Sequence, residues 1–171
     1  MTVVMNAETA VGLAIELAEE GLAAGEMPIG AVVIGDGQVL GRAHTAEQRL
    51  GRRIVHADLL ALLQADEALG FSRVRDDLTL AVNLEPCLMC LGAAVTLGIS
   101  RVWYALESPN DGGIELVSSW TPPVEQPFFA KPAELRGGIL RHRSQELFAR
   151  YADGAGPRGM REWARGLADL P

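Results

Sequence analysis

The chain has 171 residues, 49% of them hydrophobic and 22% charged, the balance of one soluble globular domain with a sizeable core. No apolar run approaches the roughly 18 residues needed to span a bilayer, and the N-terminus lacks the basic-then-apolar pattern of a signal peptide, so a cytoplasmic protein is expected. The net charge of −7 is uneven: residues 1–130 carry 7 basic against 17 acidic side chains, and residues 131–171 carry 8 against 5. The acidic body disfavours broad phosphate contact and favours a small-molecule substrate over a folded RNA, while the Arg-rich tail leaves room for a local basic patch.

Residues 7–24 place Val11, Ala14, Ile15, Ala18 and Leu22 at helical spacing and predict an opening amphipathic helix. Gly25 to Pro28 breaks it. The β-branched run Ile29 to Ile34, then Gly35-Asp36-Gly37, then Gln38 to Ala43 predicts a β-hairpin. A polar, Arg-rich loop from Thr45 to Arg53 leads to a second helix, Val55 to Leu69, closed by Gly70. Leu78 to Asn83 reads as a strand, Pro86 as the first residue of a helix running to Leu97, and Arg101 to Ala105 as the next strand. Strand, helix, strand with short joints is a βαβ unit, which makes those two strands parallel and buries both their faces. The stretch Ser108 to Pro132 is rich in Pro, Gly, Asn and Asp and reads as an active-site loop region with one helical turn near Ile114 to Trp120. Glu134 to Leu140 predicts a last strand, and Arg143 to Tyr151 and Met160 to Leu170 two more helices.

The only two cysteines stand three apart in Pro86-Cys87-Leu88-Met89-Cys90, and His56 and Asp58 stand 31 and 29 positions ahead of Cys87. This is too few cysteines, too close, for a secreted disulfide framework, which leaves metal binding or redox chemistry. A thioredoxin-type site is disfavoured because no aromatic residue precedes Cys87 and a His waits upstream. With His56 in the first turn of one helix and the i, i+3 pair Cys87 and Cys90 in the first turn of another, three ligands converge where two helix N-termini point. One imidazole and two thiolates select zinc among common metals and leave a fourth position for water, the mark of a catalytic rather than a structural site. Zinc makes that water a nucleophile near neutral pH, and a neighbouring carboxylate is needed to carry its proton.

The pair His56-Ala57-Asp58 and Pro86-Cys87-Leu88-Met89-Cys90 resembles the H-x-E and P-C-x-x-C signature of zinc nucleobase deaminases. With "GEMPIGAVVI", "VHADLLAL", "LAVNLEPCLMCLGAAV" and "RVWYALESPNDGG", the chain resembles the cytidine deaminase-like superfamily over most of its length, in the branch of tRNA adenosine deaminases and guanine or cytosine deaminases. The resemblance implies a three-layer α/β/α fold with a mixed five-stranded sheet between helices. It also implies a deaminase domain over residues 1–154, with residues 155–171 a helical extension of it. His56, Cys87 and Cys90 fall on the family's ligands for one Zn2+ per subunit, and Asp58 on its catalytic glutamate. A homodimer is implied as well.

Two departures mark this chain. Aspartate is one methylene shorter than glutamate, which sets its carboxylate back by about 1.5 Å on an unmoved backbone. Asp58 therefore reads as the proton carrier, as a dipole partner of its helix, or as a fourth zinc ligand. At the end of the second strand, where relatives present an Asn to the base, the chain has Ala43-His44-Thr45. Candidate substrate contacts are His44, Ala57, Glu85, Asn110, Asp111 and Phe128. The expected activity is hydrolytic deamination of a small purine- or pyrimidine-type base, nucleoside or related amino-heterocycle. The alternatives are a tRNA-specific adenosine deaminase and a non-catalytic, zinc-stabilised binding protein of the same fold.

Overall fold

A computed structural model describes residues 5–71, 77–125 and 130–171. The elements run α1 (Ala7–Ala23), β1 (Gly30–Gly35), β2 (Gln38–His44), α2 (Glu47–Leu50), α3 (Ala57–Leu69), β3 (Thr79–Leu84), α4 (Leu88–Leu97), β4 (Arg101–Leu106), α5 (Ile114–Ser119), β5 (Glu134–Arg136), α6 (Arg141–Ala152) and α7 (Arg158–Ala168). The five strands form one mixed sheet in the order β2-β1-β3-β4-β5. β1 is antiparallel to both its neighbours, whereas β3, β4 and β5 run parallel. The β3–α4–β4 crossover is the βαβ unit read from the sequence. Phe128 lies outside the described residues.

Alternation along the strands makes the three layers. Ala31, Val33, Leu80, Val82 and Val102 face α3 and α4. Val32, Ile34, Ala81, Trp103 and Ala105 face the side of Val11, Ile15 and Ala18 of α1 and Leu147 of α6. Because both faces are covered, β1 and β3 are buried at every position. The hairpin turns through Asp36 and Gly37 at φ 51° and 73°, the two positive values that a two-residue type I′ turn requires.

Three expectations about local structure are corrected. The helices of the motif start later than the spacing suggested: His56 and Cys87 have extended backbone (ψ 151° and 166°) and are N-cap residues, so Pro86 precedes the cap and is not the first helical residue. The loop from Thr45 to Arg53 contains α2, a helix of four residues. The last strand stops at Arg136, because Gly137 packs so closely on the Tyr104 ring that a Cβ there would lie 2.3 Å from it, and Gly138 turns at φ 81°.

The sheet and α3 approach each other at Gly41, the buried residue of edge strand β2. A Cβ there would lie 2.0 Å from the Ala61 carbonyl oxygen of α3, so only glycine allows this helix its present depth. Gly41→Ala is therefore expected to lower stability by about 1–3 kcal/mol through forced displacement of α3. Chemical denaturation checks this, and an unchanged midpoint would contradict it.

Candidate zinc site and substrate pocket

An N-cap residue is the last with non-helical backbone, and its side chain usually turns back to accept a bond from the first helical turn. His56 and Cys87 make no such bond; both side chains are directed at each other instead. His56 Nδ1 lies 3.6 Å from Cys87 Sγ and 3.7 Å from Cys90 Sγ. Tetrahedral zinc with Zn–N near 2.0 Å and Zn–S near 2.3 Å separates nitrogen from sulfur by about 3.5 Å, so the donor set fits the ion without rearrangement. Among the described residues, these are the three whose ligating atoms lie within 4.8 Å of one another. Asp58 is not in that group, which argues against its closing the site as a fourth ligand.

Electrostatics favour the metal-binding form of one thiol, Cys87, while the His56 and Cys90 protons are held in place until an ion displaces them. The Cys90 side chain, hydrogen-bonded to Cys87, and then His56 hold the Cys87 thiol down at about 4, where it is a thiolate. The bond to Cys87 in turn raises His56 to about 9. Cys90 is pushed up, first by Cys87 and then by burial. The α3 and α4 N-termini add their positive dipole ends to the same place.

Asp58 is 4% exposed at the second position of α3, where its Oδ1 accepts from the Leu59 amide at 3.2 Å. Burial raises its pKa, against a bond to Cys90 that lowers it. In front of the cluster opens a cavity of about 370 Å³. Its wall includes Thr45, Glu47, Arg53, Ala57, Asp58 and Glu85, with Asp111 at the loop side and Gly159, Met160 and Trp163 of α7 across it.

The structure thus gathers Ala57, Asp58, Glu85 and Asp111 around His56 and Cys87. His44 and Asn110 are not on the cavity wall. The His44 ring lies against Gly21 of α1 and its Nδ1 is 2.7 Å from the Thr45 carbonyl oxygen. Glu85 is committed to structure: its two oxygens accept from the Ser108 and Ile114 amides at 3.0 and 3.1 Å, stapling the loop that follows β4. Gly112 must be glycine there, since a Cβ would meet the Glu85 carboxylate at 2.3 Å.

Sequence reasoning missed three contributors. Glu26, 1% exposed in the loop before β1, accepts from the Gln48 and Arg49 amides at 2.9 and 2.7 Å and so anchors α2. Glu47 of α2 and the α7 residues were missed too. The one available signal for α7 was its helical pattern of Trp163, Ala164 and Leu167, which carries no information about where the helix docks.

Residues 5–106, more than half of the chain, match the family described as the cytidine and deoxycytidylate deaminase zinc-binding region. The chain belongs to this family. It is 39% identical over 138 residues to the tRNA-specific adenosine deaminase of Bacillus subtilis, covering 81% of this chain and 83% of that protein. It is 36% identical over 152 residues to the tRNA(Ile)-lysidine synthase of Deinococcus radiodurans, covering 84% of this chain and 25% of that protein. The chain thus spans a quarter of that synthase, and its match to the tRNA-specific adenosine deaminase of Streptococcus pyogenes serotype M1 spans 59% of that protein. Among solved structures, one from a study of A-to-I editing by tRNA:A34 deaminases superposes with a TM-score of 0.67 at 31% identity, covering 81% of this chain and 97% of that one. The guanine deaminase of Bacillus subtilis superposes at 0.57 with 31% identity, covering 71% and 81%. The guanine deaminase of Nitrosomonas europaea, at 0.68 with 22% identity over 87% and 86%, shares the fold.

The family is zinc-binding, and His56, Cys87 and Cys90 are the residues placed to hold the ion. Cys87→Ser is expected to weaken zinc binding at least 100-fold, because it removes a thiolate while the buried Cys90 and the core stay in place. Chelator competition with metal analysis measures this; undiminished affinity would contradict the assignment.

Proposed function

We propose that the chain is a hydrolase that removes an exocyclic amine from a small amino-heterocycle, a purine- or pyrimidine-type base or nucleoside, with release of ammonia. The cavity in front of the cluster carries this reading. About 370 Å³ suits a single base or nucleoside, and Met27, Ile29, Val82 and Leu84 give the apolar walls a flat ring requires. Met160 and Trp163 of α7 line it from the same chain, adding a thioether and an indole to the wall. The charge of the lining agrees, with Glu47, Asp58, Glu85 and Asp111 against Arg53, a set that repels a polyanionic backbone.

His56, Cys87 and Cys90 would hold a zinc ion whose Lewis acidity would activate water near neutral pH. The Asp58 carboxyl, on the cavity wall beside Cys90, accepts one proton of the attacking water and delivers it to the ring nitrogen, then carries the second, from the newly added hydroxyl, to the departing amine. A carbon–oxygen bond forms, the carbon–nitrogen bond breaks, and ammonia leaves. Ala57 stands at the first position of α3, where a backbone amide has no intrahelical partner, and donates it to a substrate acceptor.

Similarity to the Bacillus subtilis tRNA-specific adenosine deaminase favours a second reading, adenosine-to-inosine conversion in tRNA. A cytoplasmic setting is consistent with both, since the thiolates need a reducing compartment; no helix among the described residues is long and apolar enough to cross a membrane. For assembly we propose a homodimer through the apolar face of Leu88, Met89, Leu116 and Trp120, which are exposed on and beside α4 and α5.

Zinc-loaded protein is expected to release ammonia from at least one member of a panel of free bases, nucleosides and related amino-heterocycles and to leave tRNA adenosine unchanged; inosine in tRNA without ammonia from the panel would support the second reading instead. Asp58→Asn is expected to lower kcat by about 10²–10⁴-fold with zinc retained, and Asp58→Glu to keep turnover. Full activity of Asp58→Asn would remove Asp58 from the chemistry. Light scattering is expected to give twice the chain mass of 18.3 kDa, and Trp120→Glu with Leu116→Glu to return it to one. A monomer in the unaltered protein would contradict the dimer.

A further inference from the structure

We propose that Glu47 is the specificity-determining residue of this pocket and that it selects heterocycles presenting N–H donors, from a second exocyclic amine or a protonated ring nitrogen. The inference rests on the reading of the pocket as a site for small amino-heterocycles. It starts from which pocket carboxylates are already occupied. Glu85 accepts from two backbone amides. Asp111 accepts from the Ser108 hydroxyl at 2.5 Å. Asp58 accepts from the Leu59 amide and lies against Cys90.

Glu47 differs from all three. Its side-chain contacts are the Thr45 hydroxyl at 3.4 Å and His56 Nε2 at 3.9 Å, the second an ion-pair separation too long for a hydrogen bond. The Thr45 hydroxyl has a shorter alternative in the Val55 carbonyl oxygen at 3.2 Å. A carboxylate offers about four lone-pair sites, so these two long contacts leave accepting capacity on a side chain that lines the cavity. Its side chain is 28% exposed, which places it on the cavity wall and not on the open surface.

The position is also held firmly. Glu26 anchors the amides of the two residues after Glu47, and the Ala46 amide donates to the Val55 carbonyl oxygen at 3.1 Å. An acceptor fixed in this way discriminates sharply: it gains a charge-assisted bond from an N–H edge and is left facing another acceptor when the ring presents a carbonyl or a bare nitrogen.

The test compares 2,4-diaminopyrimidine with 4-aminopyrimidine, which lacks the second amine, by equilibrium binding to zinc-loaded protein. Unaltered protein is expected to prefer the diamine, and Glu47→Gln to lose about 10- to 100-fold of that preference while zinc content and affinity for 4-aminopyrimidine hold. Glu47→Ala is expected to lose the preference equally. A preference that survives both substitutions overturns the assignment and leaves the heterocycle reading intact. Loss of zinc affinity, with both ligands weakened in proportion, also overturns it and makes Glu47 a positioning residue for His56. Failure of the unaltered protein to bind either compound overturns the Glu47 assignment, while the heterocycle reading is decided separately by ammonia release from the panel of bases and nucleosides.

Discussion

His56 and Cys87 hold the same position on two different helices, the residue where extended backbone turns helical. A side chain there is clear of the helix's own packing and can be spent on a neighbour. Because α3 and α4 begin side by side, two such residues meet, and Cys90 one turn into α4 completes a triangle with nitrogen-to-sulfur distances of 3.6 and 3.7 Å. The rest of the molecule maintains this coincidence. Gly41 lets α3 settle on the sheet, the parallel pairing of β3 and β4 fixes where α4 starts, and Glu85 ties the loop after β4 to the end of β3.

The same arrangement accounts for the chemistry of the thiols. Two helix N-termini bring partial positive charge to one point, and Cys87 sits between the Cys90 side chain and His56, so its thiolate is favoured before any ion arrives. An N-terminal junction stabilises both a metal ligand and a nearby carboxylate. Asp58, two residues into α3, profits from that field while its burial opposes ionisation. The shorter aspartate is thus held deep beside Cys90, on the wall of the cavity.

Much of this was legible in the sequence, for reasons that also explain what was not. Ligand identities follow from residue type and spacing, and the βαβ unit from short joints between apolar runs. Each depends on residues near one another in the chain. The exact helix starts were off by a residue or two, since spacing places Pro86 ahead of a helix without saying whether Cys87 caps it. α2 escaped notice because four residues carry no periodicity and its anchor, Glu26, is 22 and 23 positions away from the amides it binds. The α7 side of the cavity was hidden for the same reason: Gln48 reaches the Met160 sulfur across 112 positions. His44 misled by its place at a strand end: its ring packs against Gly21 of α1, and Thr45 and Glu47 line the cavity instead.

The central claim is a zinc ion held by three protein side chains, with one position open. X-ray absorption at the zinc edge of the purified protein tests it most directly. The account predicts two sulfur neighbours at about 2.3 Å and two nitrogen or oxygen neighbours at about 2.0 Å, the second of these being exchangeable with added anions. A shell of three or four sulfurs, or a fully protein-ligated shell that does not respond to added anions, would contradict it.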